Sequence, residues 1–216
     1  MRQFSITILL IFAILFGTNI PTFSAIKGGI EYSIPTDYSK IDEQEVELKA
    51  RLYFYNAEKL QDGIVNEDMT NALMLYNILQ KINPDKIEYP IKTGILYDKI
   101  NKDRQAKGNF SRAIGIDKTN PLPYLHLGNF YYKRELYRKA LNYYNETYKR
   151  GFEKNYNLLY KMGDIYEKFG DTRSALKYLR DAQAQSSNQE LENKILRIEA
   201  QDAINKDFYS DTRIRG

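Results

Sequence analysis

Three residue types recur in step through the middle of this chain, and that recurrence limits the fold more than any other feature. Gly94, Gly128 and Gly163 are separated by 34 and then 35 residues, Tyr97, Tyr131 and Tyr166 follow each glycine by 3, and Ala106, Ala140 and Ala175 follow each tyrosine by 9. A period of this length marks stacked supersecondary units, each too small to bury its apolar face alone and so dependent on its neighbours. Between the recurring residues the apolar positions keep a helical spacing, which predicts helices at 87–101 and 104–116, 121–135 and 137–150, and 156–169 and 172–186. Asn120 is a good N-cap ahead of Pro121 in a first turn, and Gly170-Asp171 supplies a left-handed helix end followed by a new cap.

The pattern extends upstream in weaker form. A helix over 41–60 carries Val46, Leu48, Leu52, Tyr53 and Tyr55 as its apolar residues, and a second over 68–83 carries Ala72, Leu73, Leu75, Tyr76 and Leu79 before Asn83-Pro84 stops it. Ala72 stands 34 residues before Ala106, so this pair reads as a further copy with a longer inner loop. Downstream, 188–205 reads as one amphipathic helix with Leu191, Ile195, Ile198 and Ile204 on its apolar side. It has no partner helix, and a repeat array needs a terminal element with a polar outer face, so it is assigned as a cap. Residues 206–216 are expected as a frayed tail.

At the N-terminus, Arg2, an apolar run from Ile6 to Phe16 and the small residues Thr22, Ser24 and Ala25 read as an export signal over 1–25, with cleavage after Ser24 or Ala25. The run is shorter than the roughly 18–20 residues that span a bilayer comfortably, which favours a cleaved signal over a retained anchor. Residues 26–40 contain two glycines and a proline without a sustained period and are read as a flexible tether. Export places the protein in a periplasm, in a cell envelope or outside the cell. Lys, Asn, Ile and Tyr are abundant, as in proteins of AT-rich bacterial genomes.

The residues that recur also pack by size. Small Gly and Ala permit close helix crossing, and Phe110, Tyr144 and Leu179, four after each alanine, fill the space opposite. Of the tyrosines, Tyr53, Tyr76, Tyr97, Tyr131, Tyr144 and Tyr166 fall at repeat positions and are expected in the core. In this arrangement the chain resembles the tetratricopeptide repeat (TPR) family, whose signature runs W-x2-L-G-x2-Y, A-x3-F and P. Tyr124, Leu127, Gly128, Tyr131, Ala140 and Tyr144 match it best, Leu159, Met162, Gly163, Tyr166, Ala175 and Leu179 next, and Gly94, Tyr97, Ala106 and Phe110 follow in a copy where Pro90 and Thr93 erode the first helix and delay its start. The first copy matches only at Ala72, Tyr76 and Pro84, and through Gly63, Asp68, Ala72 and Tyr76 it is also faintly similar to Sel1-like repeats, which have a longer inner loop. The resemblance implies an all-α fold, a right-handed α-solenoid of about four antiparallel helix pairs over 41–187 with the C-terminal capping helix.

It also implies a groove. In such arrays the first helix of each pair lines a concave face, and its inward positions fall here on Glu88, Ile91, Ile95 and Asp98, on Leu122, Leu125, Asn129 and Tyr132, and on Asn157, Tyr160, Asp164 and Glu167. Of these, Ile91, Ile95, Leu122, Leu125, Asn129, Tyr132, Asn157, Tyr160 and Asp164 are the candidate protein-binding residues, a mixture suited to an extended segment or an amphipathic helix. Relatives that clamp a carboxylate place lysine where this chain has Ile91, Leu125 and Tyr160, which argues against that clamp.

Catalytic chemistry finds few parts. The chain has one histidine and no cysteine, which removes Cys–His nucleophiles, cysteine-built zinc sets and multi-histidine metal sites, and no phosphate-loop, metalloprotease or serine-hydrolase pattern is present. His126 is read as structural, and the glycosylation-like Asn109-Phe-Ser and Asn145-Glu-Thr fall within expected helices. The net charge of +4 has interspersed signs and no basic stripe, so nucleic acid is not an expected partner. The expectation is a non-catalytic, exported adaptor that uses no cofactor or metal and binds proteins or peptides. The alternative is a structural assembly subunit of the envelope, anchored by an uncleaved N-terminal segment or self-associating through its open first-repeat end.

Overall fold

The computed structural model describes residues 22–27, 30–35, 38 and 41–214, with side chains at 38 and from 41 to 206. Residues 1–21, most of the expected export signal, lie outside the described residues. Ahead of the helices, β1 (Thr22–Lys27) and β2 (Ile30–Pro35) pair antiparallel, with Thr22 opposite Pro35 and Lys27 opposite Ile30. Part of the expected tether is therefore a hairpin. The overlooked signal is Gly28-Gly29 between two runs rich in β-branched and aromatic residues.

From Glu43 onward the described chain is helical: α1 (Glu43–Glu58), α2 (Glu67–Ile82), α3 (Glu88–Lys99), α4 (Asp103–Ile116), α5 (Leu122–Lys133), α6 (Tyr137–Thr147), α7 (Tyr156–Lys168), α8 (Thr172–Gln185) and α9 (Gln189–Ile214). They form the antiparallel helix pairs of an α-solenoid. The chain divides into two compact units between Asn109 and Phe110, inside α4. Among the described residues no helix is long and apolar enough to cross a membrane.

In the first unit, Asp42 caps α1 by accepting from the Gln44 and Glu45 N–H groups, and Asn66 caps α2 by accepting from Met69 N–H. The buried face of α1 is Val46, Ala50, Phe54 and Ala57. This corrects the expected assignment, since Leu48, Leu52 and Tyr55 are 72%, 59% and 59% exposed. Two apolar stripes share this helix, and periodicity alone does not say which one is covered. Phe54 meets the Tyr76 ring edge-on at 5.9 Å, and Tyr89 of α3 lies 6.1 Å from Tyr76. The expected late start of α3 is also corrected. Pro90 sits in the first turn, where proline is tolerated, and Thr93 lies buried, donating to Tyr89 O and accepting from Gln80 Nε2 at 2.8 Å.

The second unit shows why the glycines recur. A Cβ on Gly128 would overlap the Tyr144 ring, and one on Gly163 would lie 2.6 Å from Leu179 Cγ. The second helix of each pair thus inserts its large residue where the first helix has no side chain. The tyrosines that follow these glycines are half-buried rather than core as expected. Each lies flat on a tyrosine of the second helix, Tyr131 on Tyr143 and Tyr166 on Tyr178, with centroids 5.4 Å apart in both cases. Tyr76 and Tyr144 are fully buried, while Tyr53 and Tyr97 are also only half-buried.

Helix α6 ends at Thr147, short of the expected 150, and the chain turns through a widened coil over Tyr148–Phe152 with Gly151 at φ 95°. Gly170 is left-handed (φ 74°) and Asp171 caps α8 through Ser174 N–H. Helix α9 is longer than expected and takes in most of the assigned tail. Asn188 caps it, and Leu191, Ile195 and Ile198 pack with Leu159, Leu179 and Ala182. Ile204, expected on this apolar side, is 61% exposed.

Glycine substitutions separate close approach from chain entropy. Gly128→Ala should lower stability by about 1–3 kcal/mol through overpacking. Gly108→Ala, inside α4 with nothing within 4 Å of the added atom, should raise it by about 0.5–1 kcal/mol. Urea denaturation of the two variants checks the opposite signs.

Candidate functional site

The polar chemistry of the second unit gathers on one face of α5, α7 and α9. Asn129 and Tyr132 stand three apart on α5, as do Lys161 and Asp164, and then Glu167, on α7, and Lys194 and Arg197 on α9. That spacing keeps each set on one side of its helix. Four of the links between helices join residues 30–32 apart in sequence, close to the repeat period. Tyr132 OH donates to Asp164 Oδ2 at 2.7 Å, and Lys194 Nζ donates to Asp164 Oδ1 at 2.6 Å. Lys194 also pairs with Glu167 at 2.9 Å, Arg197 reaches Glu167 at 2.6 Å, and Lys168 stands 3.7 Å from Asp164.

Charge is matched over most of this face. Burial disfavours ionisation of Asp164, but hydrogen bonds from Lys194 and Tyr132 outweigh it and hold the carboxyl below its ordinary range. Glu167 is lowered by the same balance, burial opposed by Lys194 and Arg197. For Lys194, burial favours the neutral amine, yet its two carboxylate partners raise its pKa. Burial and the bond to Asp164 raise the Tyr132 phenol, so it stays a donor.

Lys161 is the exception. Its Nζ donates to Asn129 Oδ1 at 2.7 Å and lies 5.5 Å from the centre of the Tyr132 ring, and no described carboxylate pairs with it. Burial alone lowers its pKa. Asn129 Oδ1 already accepts from Tyr144 OH at 2.9 Å, so this ammonium is held by a shared neutral acceptor and an aromatic face.

The expected groove residues fare unequally. Asn129, Tyr132, Tyr160 and Asp164 come together with Lys161, and Tyr160 has Lys194 Nζ 5.2 Å from its ring centre. Leu125 is half-buried against the cluster of Tyr144, Leu158 and Met162. Leu122 is exposed, as is Asn157, and neither is among the polar contacts of this face. In the first unit Ile91 is 5% exposed and offers almost no surface, while Ile95 packs against the core of that unit. There Glu88 pairs with Arg51 at 3.4 Å.

Lys161, Lys194 and Arg197 were not among the expected residues. Lys161 lies beside an inward position rather than on one, and the other two belong to a helix counted as a cap. The spacing of 30 between Asp164 and Lys194 was the available clue. His126, read as structural, stacks on Phe110 with centroids 5.7 Å apart. A separate open groove of about 830 Å³ runs between α8 and α9, lined by Arg173, Lys177, Arg180, Asp181, Asp202 and Lys206, with Lys206 already paired to Asp202.

With the geometry in place, solved structures provide the comparison. MamA superposes with a TM-score of 0.56 at 17% identity, covering 64% of this chain and 81% of that one. YrrB, described as a TPR protein with an unusual peptide-binding site, gives 0.55 at 21% identity over 61% of this chain and 68% of that one. Pseudomonas aeruginosa PilF gives 0.62 at 12% identity over 74% and 71%. The fold is that of TPR proteins. In sequence, 109 residues are 33% identical to the TPR repeat-containing protein MJ1428 of Methanocaldococcus jannaschii. That match covers 50% of this chain and 19% of the relative, so the chain spans about a fifth of that protein's length. No family model matches the chain.

The matched charges on this TPR-like face make the docking of α9 sensitive to pH. The Asp164 and Glu167 pKa values are lowered on folding, so their contribution is complete above the ordinary carboxylate range and is lost as pH falls through the lowered values. Hydrogen-exchange protection of the α9 amides should decline below about pH 4. Lys194→Met should destabilise the second unit by about 1–3 kcal/mol, since Asp164 keeps only Tyr132 and the more distant Lys168, and should make the acid-dependent decline smaller.

Proposed function

We propose that the protein is a non-catalytic, exported interaction adaptor that binds a peptide or protein segment on the face of α5 and α7, with Lys161 receiving a carboxylate of the partner. One observation carries this reading: a half-buried ammonium, held among the described residues only by Asn129 and the Tyr132 ring, lies on a face where the other charges are matched. A charge-assisted hydrogen bond to an incoming carboxylate would offset the burial that disfavours the ammonium. Leu125 and Tyr160 flank it with apolar and aromatic surface, the usual anchors beside a charged contact. The TPR-like fold supports a protein or peptide partner in general, and YrrB is a neighbour of this fold described by its peptide-binding site. The N-terminal sequence supports export.

The reading differs from the carboxylate clamp of related arrays. Lysine is absent at the inward positions of Ile91, Leu125 and Tyr160 and stands instead one residue later, at Lys161. The bound carboxylate would lie against Asn129 and Tyr132 of the neighbouring repeat.

A peptide array with free and amidated C-termini and with internal acidic residues tests the proposal. Lys161→Gln should weaken the best ligands by about tenfold or more, the loss of a hydrogen bond between charged groups. Leu125→Glu with Tyr160→Glu should remove binding altogether. Unchanged affinities in both variants, with circular dichroism showing them folded, would refute the assignment.

A further inference from the structure

The first helix exposes the surface with which the later first helices stack. Counted from the small residue of each repeat, the position five before and the position two after are Tyr89 and Leu96 at Gly94, Pro123 and Phe130 at Gly128, and Leu158 and Ile165 at Gly163, and all six are buried. In α1 the small residue is Ala57, three before Leu60 at the tyrosine position, and it is fully buried. The same two positions there are Leu52 and Lys59, and both are exposed. Leu48 and Tyr55 extend this stripe along the helix, at 72% and 59% exposure. A repeat array left open on such a stripe needs a cover.

We propose that the cover is a second copy of the chain, with α1 packed antiparallel on α1 about a two-fold axis at Leu52. Glu45, Leu48, Leu52, Tyr55 and Lys59 follow one another at spacings of 3, 4, 3 and 4, the seam of a two-helix coiled contact. On this stripe the charged positions stand seven residues to either side of Leu52, acidic at Glu45 and basic at Lys59. Antiparallel pairing therefore sets Leu52 against its symmetry mate, Leu48 against Tyr55, and Glu45 against Lys59 at both ends. Parallel pairing would oppose like charges at both ends, which disfavours it. The intrahelical contacts that these charges now make, Glu45 to Lys49 at 2.6 Å and Lys59 Nζ 3.7 Å from the Tyr55 ring centre, are solvent-exposed and easily shared. The two-fold closes on itself, so assembly stops at a dimer instead of growing into a filament. This inference does not depend on a ligand at Lys161.

Because the chain has no cysteine, single-cysteine variants report the contact directly. In the full chain, Leu52→Cys should form a disulfide-linked dimer on mild oxidation, since a dyad at that residue brings the two Cα atoms within bridging range. Leu196→Cys, equally accessible on α9 at 56% exposure, should form no disulfide-linked dimer. Sedimentation should show a concentration-dependent dimer that Leu52→Glu abolishes with the helical content unchanged. Glu45→Lys or Lys59→Glu alone should weaken it about two- to tenfold, and the two together in one chain should restore it. A wild-type chain that stays monomeric, adducts between the Leu52→Cys and Leu196→Cys chains when mixed, or failure of the double charge reversal to restore the dimer would each overturn the proposal.

Discussion

Everything in the second unit depends on two places where one helix lies against another without a side chain between them. At Gly128 the Tyr144 ring occupies the space a methyl group would need, and at Gly163 the Leu179 side chain does the same. These contacts set the distance between the helices of each pair. The tyrosine stacks depend on that distance, because Tyr131 lies flat on Tyr143 and Tyr166 on Tyr178 only if the helices keep one spacing in both copies. Tyr144 then carries the packing contact to the polar face. Its ring fills the notch at Gly128, and its hydroxyl, kept protonated by burial, donates to Asn129. Asn129 in turn holds Lys161. A backbone approach is thus connected through two side chains to the one ammonium on this face whose described contacts are all neutral.

The repeat was legible because packing and period make the same demand. Gly, Tyr and Ala at constant spacing gave the helix pairs and most boundaries to within about two residues. Misreadings arose where two physical rules compete. On α1 both Leu48-Leu52-Tyr55 and Val46-Ala50-Phe54-Ala57 fit a helical stripe, and hydrophobicity favours the first. The structure buries the second because small Ala50 and Ala57 permit close approach, which large residues do not. Pro90 looked like erosion of a repeat, but a proline three residues into a helix costs no hydrogen bond. Tyr131 and Tyr166 looked like core because a repeated aromatic usually fills space, whereas here each supplies a flat edge to a partner.

The candidate site was legible only in part, for a similar reason. Inward positions carried over from related arrays located Asn129, Tyr132, Tyr160 and Asp164. They could not locate Lys194, since α9 was counted as a cap and not as a helix continuing the period. Nor could they locate Lys161, since a lysine beside a tyrosine on a charged helix looks like ordinary surface. What distinguishes Lys161 is an environment assembled from α5 and α7, and that exists only in the fold.

The two ends of the described helices meet the same problem with different chemistry. Beyond α8, the last paired helix, α9 buries Leu191, Ile195 and Ile198 and turns Lys194 and Arg197 toward the acids of α7. Its outward face is mixed, with Glu192 and Asn193 exposed beside Leu196, which suits a helix that ends an array. At the other end α1 places Leu48, Leu52 and Tyr55 outward, and the charges at Glu45 and Lys59 lie beyond the apolar centre instead of across it. A capping helix needs an outer face that is polar for the most part. A self-complementary contact needs an apolar centre and opposite charges equidistant from it. The sequence of α1 meets the second requirement and fails the first, so the open end reads as a joint.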